Sequence, residues 1–303
     1  MRIDSYLSLF FGTQPLLSCP EITLPPVGIA REHAFGLLVR RSIDPDFQYP
    51  NGQHLNDDDI HLSLCAIQSN IWTVSANFIG GLPAQPDAML DPEQAIATSC
   101  QRLLMSWLNA HTASSTATLI LYHASSLRAY VPPSLISVQR FSSLRKAAGS
   151  PPAMSSDLDL TCWMNTNAPR TAVWHAGQIA RIAEKEAAKP DAMLNPLLIP
   201  SLVKSAVVVC AFASRSRACP FCTGNPEPVD LVDLFGADET CERLSTWTSG
   251  GHGLGTWGGN VFIQMPICRC GIPIISAWYR KVFKKIAHAD SDLVSSFTGL
   301  VSH

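Results

Sequence analysis

The sequence predicts an all-α protein, a multi-helix bundle or irregular helical stack with one loop-rich segment. Three observations carry that expectation. Apolar residues recur at three-and-four spacing along most of the chain, strand-type alternation is nearly absent, and helix start and stop signals bracket the periodic stretches. With 303 residues, 47% hydrophobic and 15% charged, the chain has ample apolar surface for a core and too little charge for a disordered polymer. A single helical domain over 1–303 accommodates the pattern. Sub-units 1–146 and 158–303, joined by a small-residue linker at 147–157, are the alternative organisation.

Taken in order, the first long helix opens near Asn56, carries Ile60, Leu64, Ile67, Ile71, Val74 and Phe78 on one face, and ends at Gly80-Gly81. The next has Asp91 as a cap, Pro92 at its first position and Gln94 placed to reach back, followed by the stripe Ile96, Cys100, Leu103, Leu104, Trp107, Leu108 and His111. A helix from Thr116 to Val131 aligns Ile120, His123, Ala124, Leu127 and Tyr130. Pro132-Pro133 stops it, because proline lacks an N–H and pushes its predecessor out of the helical region. Beyond the linker, Ala172, His175, Ala176, Ile179, Ile182 and Ala183 form another stripe that stops at Lys189-Pro190.

The apolar stretch Leu197 to Ala213 is interrupted by Pro200 and Lys204, so it reads as a buried helix from about Leu202 and not as a membrane span. Ser214 to Gly271 is rich in Cys, Gly, Pro and Trp and reads as loop, apart from short alternating stretches such as Asn260 to Met265. A final helix, about Ile274 to His288, is expected to bury Ile275, Trp278, Val282 and Ile286 and to turn Lys281, Lys284, Lys285 and His288 outward.

Twenty-two basic residues against twenty-four acidic ones give a net charge of -2, which argues against nucleic-acid binding by bulk electrostatics. The apolar N-terminus, with a Leu16-Leu17-Ser18-Cys19 box, invites an export reading. Asp4 and the interruptions at Gly12, Gln14 and Pro15 oppose it. Ten cysteines scattered mostly on apolar faces fit a reducing compartment.

Four features suggest chemistry, and each has a simpler structural reading. Cys219 and Cys222 with Cys268 and Cys270, and Cys241 and His252 between them, are the zinc candidates; the second pair is C-x-C, so structural thiols are the preferred reading. Asp57, Asp58 and Asp59 resemble a magnesium-binding cluster, but acidic residues also suit a helix N-terminus. Gly253, Gly255 and Gly258 match G-x-G-x-x-G without a preceding strand or a following helix, and read as a flexible loop. His123 and His175 lie on apolar stripes with no nucleophile elbow nearby, and read as packed side chains satisfied by backbone carbonyls, with no catalytic residue assigned.

Several segments together resemble the fungal-specific transcription factor regulatory domain, as it occurs in fungal two-cysteine, two-histidine zinc-finger factors. Thr171 to Ile179 is similar to its AxWHAGQI helix, Leu121 to Leu127 (LYHASSL) to its LYHLASL helix, and Ile3 to Phe11 through Pro15-Leu16-Leu17 to its opening helix. Cys162-Trp163 stands where a tryptophan precedes the tryptophan-histidine helix. The likeness covers about Ile3 to Val282 and departs from the family at Cys19-Pro20-Glu21-Ile22.

The resemblance implies a nuclear regulatory module with His123, Trp174, His175 and Gln178 as structural signature residues. It implies no enzymatic activity and no cofactor in this chain, zinc belonging to an upstream finger module for which the chain has no spacing. The implied partners are proteins, either a dimer mate or the transcription machinery. Direct sequence-specific DNA binding and membrane association are not expected, and an effector is left open. The alternatives are an all-α magnesium-dependent enzyme using Asp57, Asp58 and Asp59, or a truncated inactive paralogue.

Overall fold

The structure, a computed structural model, describes residues 7–8, 61, 64–65, 68, 115–132, 135, 160–189, 195–215, 228–230, 246–250, 254–257 and 265–286. These residues are predominantly helical, as the all-α expectation requires. The chain divides into two compact units, Met1–Ala129 and Tyr130–His303. The expected helix from Ile96 to His111, the linker 147–157, Asp57 to Asp59, Cys219, Cys222, Cys241 and His252 lie outside the described residues.

In the first unit, helix α1 spans Thr116–Tyr130, its last residue belonging to the second unit. Its ends match the expectation, with Leu119 N–H donating to the Ser115 carbonyl at 3.1 Å and the double proline following Val131. Its burial does not match, because Leu121, Tyr122, Ser125, Ser126, Arg128 and Ala129 are buried along with Ile120, His123, Ala124 and Leu127 of the predicted stripe, whereas Tyr130 is only half-buried. A helix covered on every side loses the polar face that periodicity looks for. Of the earlier helix, His61, Leu64, Cys65 and Gln68 are described, helical and buried. Gln68 Nε2 donates to Ser8 Oγ at 3.3 Å, and His61 Nδ1 lies 3.5 Å from Thr118 Oγ1, which ties that helix to α1.

The second unit is built on three helices, each packed on the other two: α2 (Ala168–Ala187), α3 (Leu198–Arg215) and α4 (Ile272–Ile286). Pro169 sits in the first turn of α2, where a missing N–H costs nothing. The Asn167 side chain makes no capping bond; instead the Ala168 N–H donates to Thr166 Oγ1 at 3.3 Å, and that hydroxyl donates to the Trp163 carbonyl at 2.8 Å. At the far end, Ala188 N–H reaches the Lys185 carbonyl at 3.2 Å, and Lys189 pairs with Glu186 at 2.6 Å on the surface.

Helix α3 begins four residues before the expected Leu202, since Pro200 falls in its first turn, where amides have no intrahelical partner. Asn195 prepares that start: its Oδ1 accepts from Leu197 N–H at 2.8 Å and its carbonyl from Leu198 N–H at 2.9 Å. α3 has the length and apolarity of a membrane span by composition alone. Half of it is nevertheless buried inside the protein, Lys204 included, as in a core helix.

The segment expected to be loop contains a small mixed sheet. Strand β1 (Pro228–Asp230) pairs in parallel with β2 (Leu254–Trp257), which pairs antiparallel with β3 (Met265–Pro266). Gly255 of the G-x-G-x-x-G match is therefore a strand residue, opposite Val229, and not part of a loop. Its partner lies twenty-six positions away, so no local pattern could announce the pairing. A π-helical turn, Thr246–Gly250, places the buried Trp247 ring 6.4 Å from Phe212 near the end of α3.

Helix α4 starts two residues earlier than expected and buries Ile275, Ser276, Tyr279, Val282, Phe283 and Ile286. Trp278, expected inside, is half-buried, and Tyr279 takes the core position. Lys281, Lys284 and Lys285 face outward as predicted.

Candidate functional site

Helical geometry puts Trp174, His175 and Gln178 within one turn of α2, and all three are buried, His175 completely. Two further residues of the same unit, Tyr130 and Trp163, complete the cluster. The Tyr130 ring stacks on His175 with centroids 5.8 Å apart and planes 17° off parallel, and Trp174 tilts against His175 at 4.6 Å. Trp163 sets the position of Tyr130: its Nε1–H donates to the Tyr130 carbonyl at 2.7 Å. That carbonyl stands at a helix end, where carbonyls lack helical donors, so the indole supplies the missing donor next to the ring stacked on His175. Trp163→Phe removes the donor and puts a smaller ring in a buried site. The lost bond and the cavity together are expected to cost about 2–3 kcal/mol in urea unfolding.

A second cluster joins the three helices at one point. Ser205 Oγ of α3 donates to the Ala176 carbonyl of α2 at 2.7 Å and lies 2.6 Å from the Tyr279 hydroxyl of α4. A serine hydroxyl has a single proton. With that proton committed to Ala176, the Tyr279 hydroxyl is the donor to Ser205. Small residues permit the approach, Ala172, Ala176 and Ala180 on α2 and Ser201 and Ser205 on α3 being buried together in this unit. Beside this junction, Cys210 Sγ lies 3.9 Å from Ser276 Oγ.

Burial dominates the electrostatics of the enclosed phenol, thiol and imidazole. Burial pushes the Tyr279 hydroxyl well above the usual phenol range, and Cys210 adds to that rise. Burial likewise raises the Cys210 thiol, against the smaller effect of Ser276, which disfavours the nucleophilic thiolate. In the first unit, burial lowers His123 to about 3, so its ring is neutral at physiological pH, edge-on to Tyr122 at 4.9 Å. A general base must reach a substrate proton, and His175, fully enclosed, presents no face to solvent.

Of the zinc candidates, Cys268 is buried at the start of a short 3₁₀ turn (Arg269–Gly271) and Cys270 is exposed two residues on. Among the described residues no three His, Cys, Asp or Glu side chains gather as a metal site, and none of the described cysteines is in a disulfide.

The sequence reading brought Trp174, His175 and Gln178 together but missed Ser205 and Tyr279. Ser205 shares a stripe with Leu202, Ala206, Val209 and Ala213, and Tyr279 one with Ile275, Val282 and Ile286. Two hydroxyls in the middle of facing apolar stripes were the available signal. Comparison with protein-family models, curated proteins and solved structures gives no match to this chain.

Proposed function

We propose that the chain is a transcriptional regulatory module of the fungal zinc-finger type, a helical bundle or stack that acts in the nucleus through protein contacts or effector sensing, without chemistry and without DNA-binding fingers of its own. The observation that carries this reading is the fate of the tryptophan-histidine helix, whose His175 is wholly enclosed between Tyr130 and Trp174. Its most reactive-looking residue serves as a packing surface, which suits a contact module better than an enzyme. The neutral, buried His123 supports the same reading. Packed helices with more than one favourable arrangement let a partner or ligand select between them, which is how such a module could gate an attached factor.

The test is to fuse the full chain to an unrelated DNA-binding domain and measure a reporter gene carrying its site. Reporter output should change severalfold relative to the DNA-binding domain alone, in either direction. An unchanged reporter, or magnesium-dependent turnover lost in Asp57→Asn/Asp58→Asn, would contradict the proposal.

A further inference from the structure

We infer that the outward stripe of α4 is a docking face for an acidic protein segment bearing an apolar anchor. This deepens the contact-only reading and rests on it. Ile274, Ala277, Trp278, Lys281, Lys284 and Lys285 fall on one side of α4 at three-and-four spacing, opposite the buried Ile275, Tyr279, Val282 and Phe283. Ile274 is 45% exposed, Trp278 half-buried, and the three lysines are exposed. The stripe is thus apolar in its first half and cationic in its second, over about 16 Å at the rise of an α-helix.

Charge identifies the occupant. α4 contains no acidic residue, although the chain as a whole carries a net charge of -2. Lys281, Lys284 and Lys285 form no ion pair among the described residues, and at these spacings like charges repel. The negative end of the helix dipole offsets part of that repulsion but acts only over the last turn. A second copy does not fit, because a self-complementary contact through this stripe would set lysine against lysine. A membrane does not fit either, since the broad apolar side of α4 is already buried within its unit. Nucleic acid would leave the exposed Ile274 and Ala277 without a role. A peptide with carboxylates spaced to meet the lysines and an aliphatic or aromatic anchor for the Ile274 end satisfies both halves.

The experiment is a fluorescence-anisotropy titration of the full chain with a labelled helical peptide carrying glutamates on one face around a leucine, and with its glutamine counterpart. The glutamate peptide should bind, more weakly as salt rises. Lys281→Glu/Lys284→Glu/Lys285→Glu should weaken it about tenfold with an unchanged circular dichroism spectrum, since the side chains replaced are exposed. Ile274→Ser should weaken it severalfold. Equal binding of the glutamine peptide, or no effect of the lysine substitutions, overturns the inference. So does capture of phosphatidylserine vesicles or duplex DNA through these lysines in preference to the peptide, or lysine-dependent self-association. Failure of the peptide removes α4 as the contact face and leaves the reporter result standing, whereas a silent reporter removes the wider reading.

Discussion

Acidification from pH 6.5 to about pH 4 is expected to destabilise the native chain by roughly 3 kcal/mol through His123 alone. Burial holds this ring at about 3 in the folded state, against 6.5 for an ordinary histidine. Between those values the unfolded chain binds a proton at this position and the folded chain does not, so stability rises with pH across that window. The stability is fully present above pH 6.5 and is lost as pH falls towards 3, at about 1.4 kcal/mol per pH unit. His123→Gln removes the titration. Urea unfolding over a pH series should show a shallower dependence for the variant by that amount. Identical slopes for the two proteins would mean that the ring titrates freely in the folded state.

Tyr279→Ala is expected to cost about 3–5 kcal/mol, and Tyr279→Phe only about 1 kcal/mol. The ring is fully buried in the three-helix unit, so its removal leaves a cavity as well as a lost hydrogen bond. Phenylalanine fills the space and leaves Ser205 Oγ still bonded to the Ala176 carbonyl. Ser205→Ala should be worse than Tyr279→Phe, because it deprives the buried tyrosine hydroxyl of the acceptor it now uses. Combining the two should cost less than the sum of the singles, since both remove the same bond. Thermal and urea unfolding of the four proteins measure this. Strict additivity would mean that the hydroxyls are not coupled.

The elements that could be read from the sequence are those with local punctuation. Pro132-Pro133 and Lys189-Pro190 end α1 and α2 where expected, because proline acts on its immediate neighbours. Pro200 misled by the same rule: whether a proline breaks a helix depends on its distance from the first turn, which Asn195 sets. In α4 the choice between the adjacent Trp278 and Tyr279 could not be made from periodicity. Both rings are large, and the deciding contact, Ser205, is seventy-four residues away. The site shows the same division. Trp174, His175 and Gln178 share a helix turn and were legible together. Tyr130 is anchored by the Trp163 indole thirty-three residues distant and stacks on His175 of another helix, which no local pattern encodes.

The enclosure of His175 is tested most directly by treating the native chain near neutral pH with diethyl pyrocarbonate, which acylates accessible neutral imidazoles, and locating the products by mass spectrometry. His175 should remain unmodified in the folded protein and react fully once the chain is unfolded in urea. Modification of His175 in the native state at the rate of a free imidazole would show an open, reactive ring and would contradict a module that works by contact.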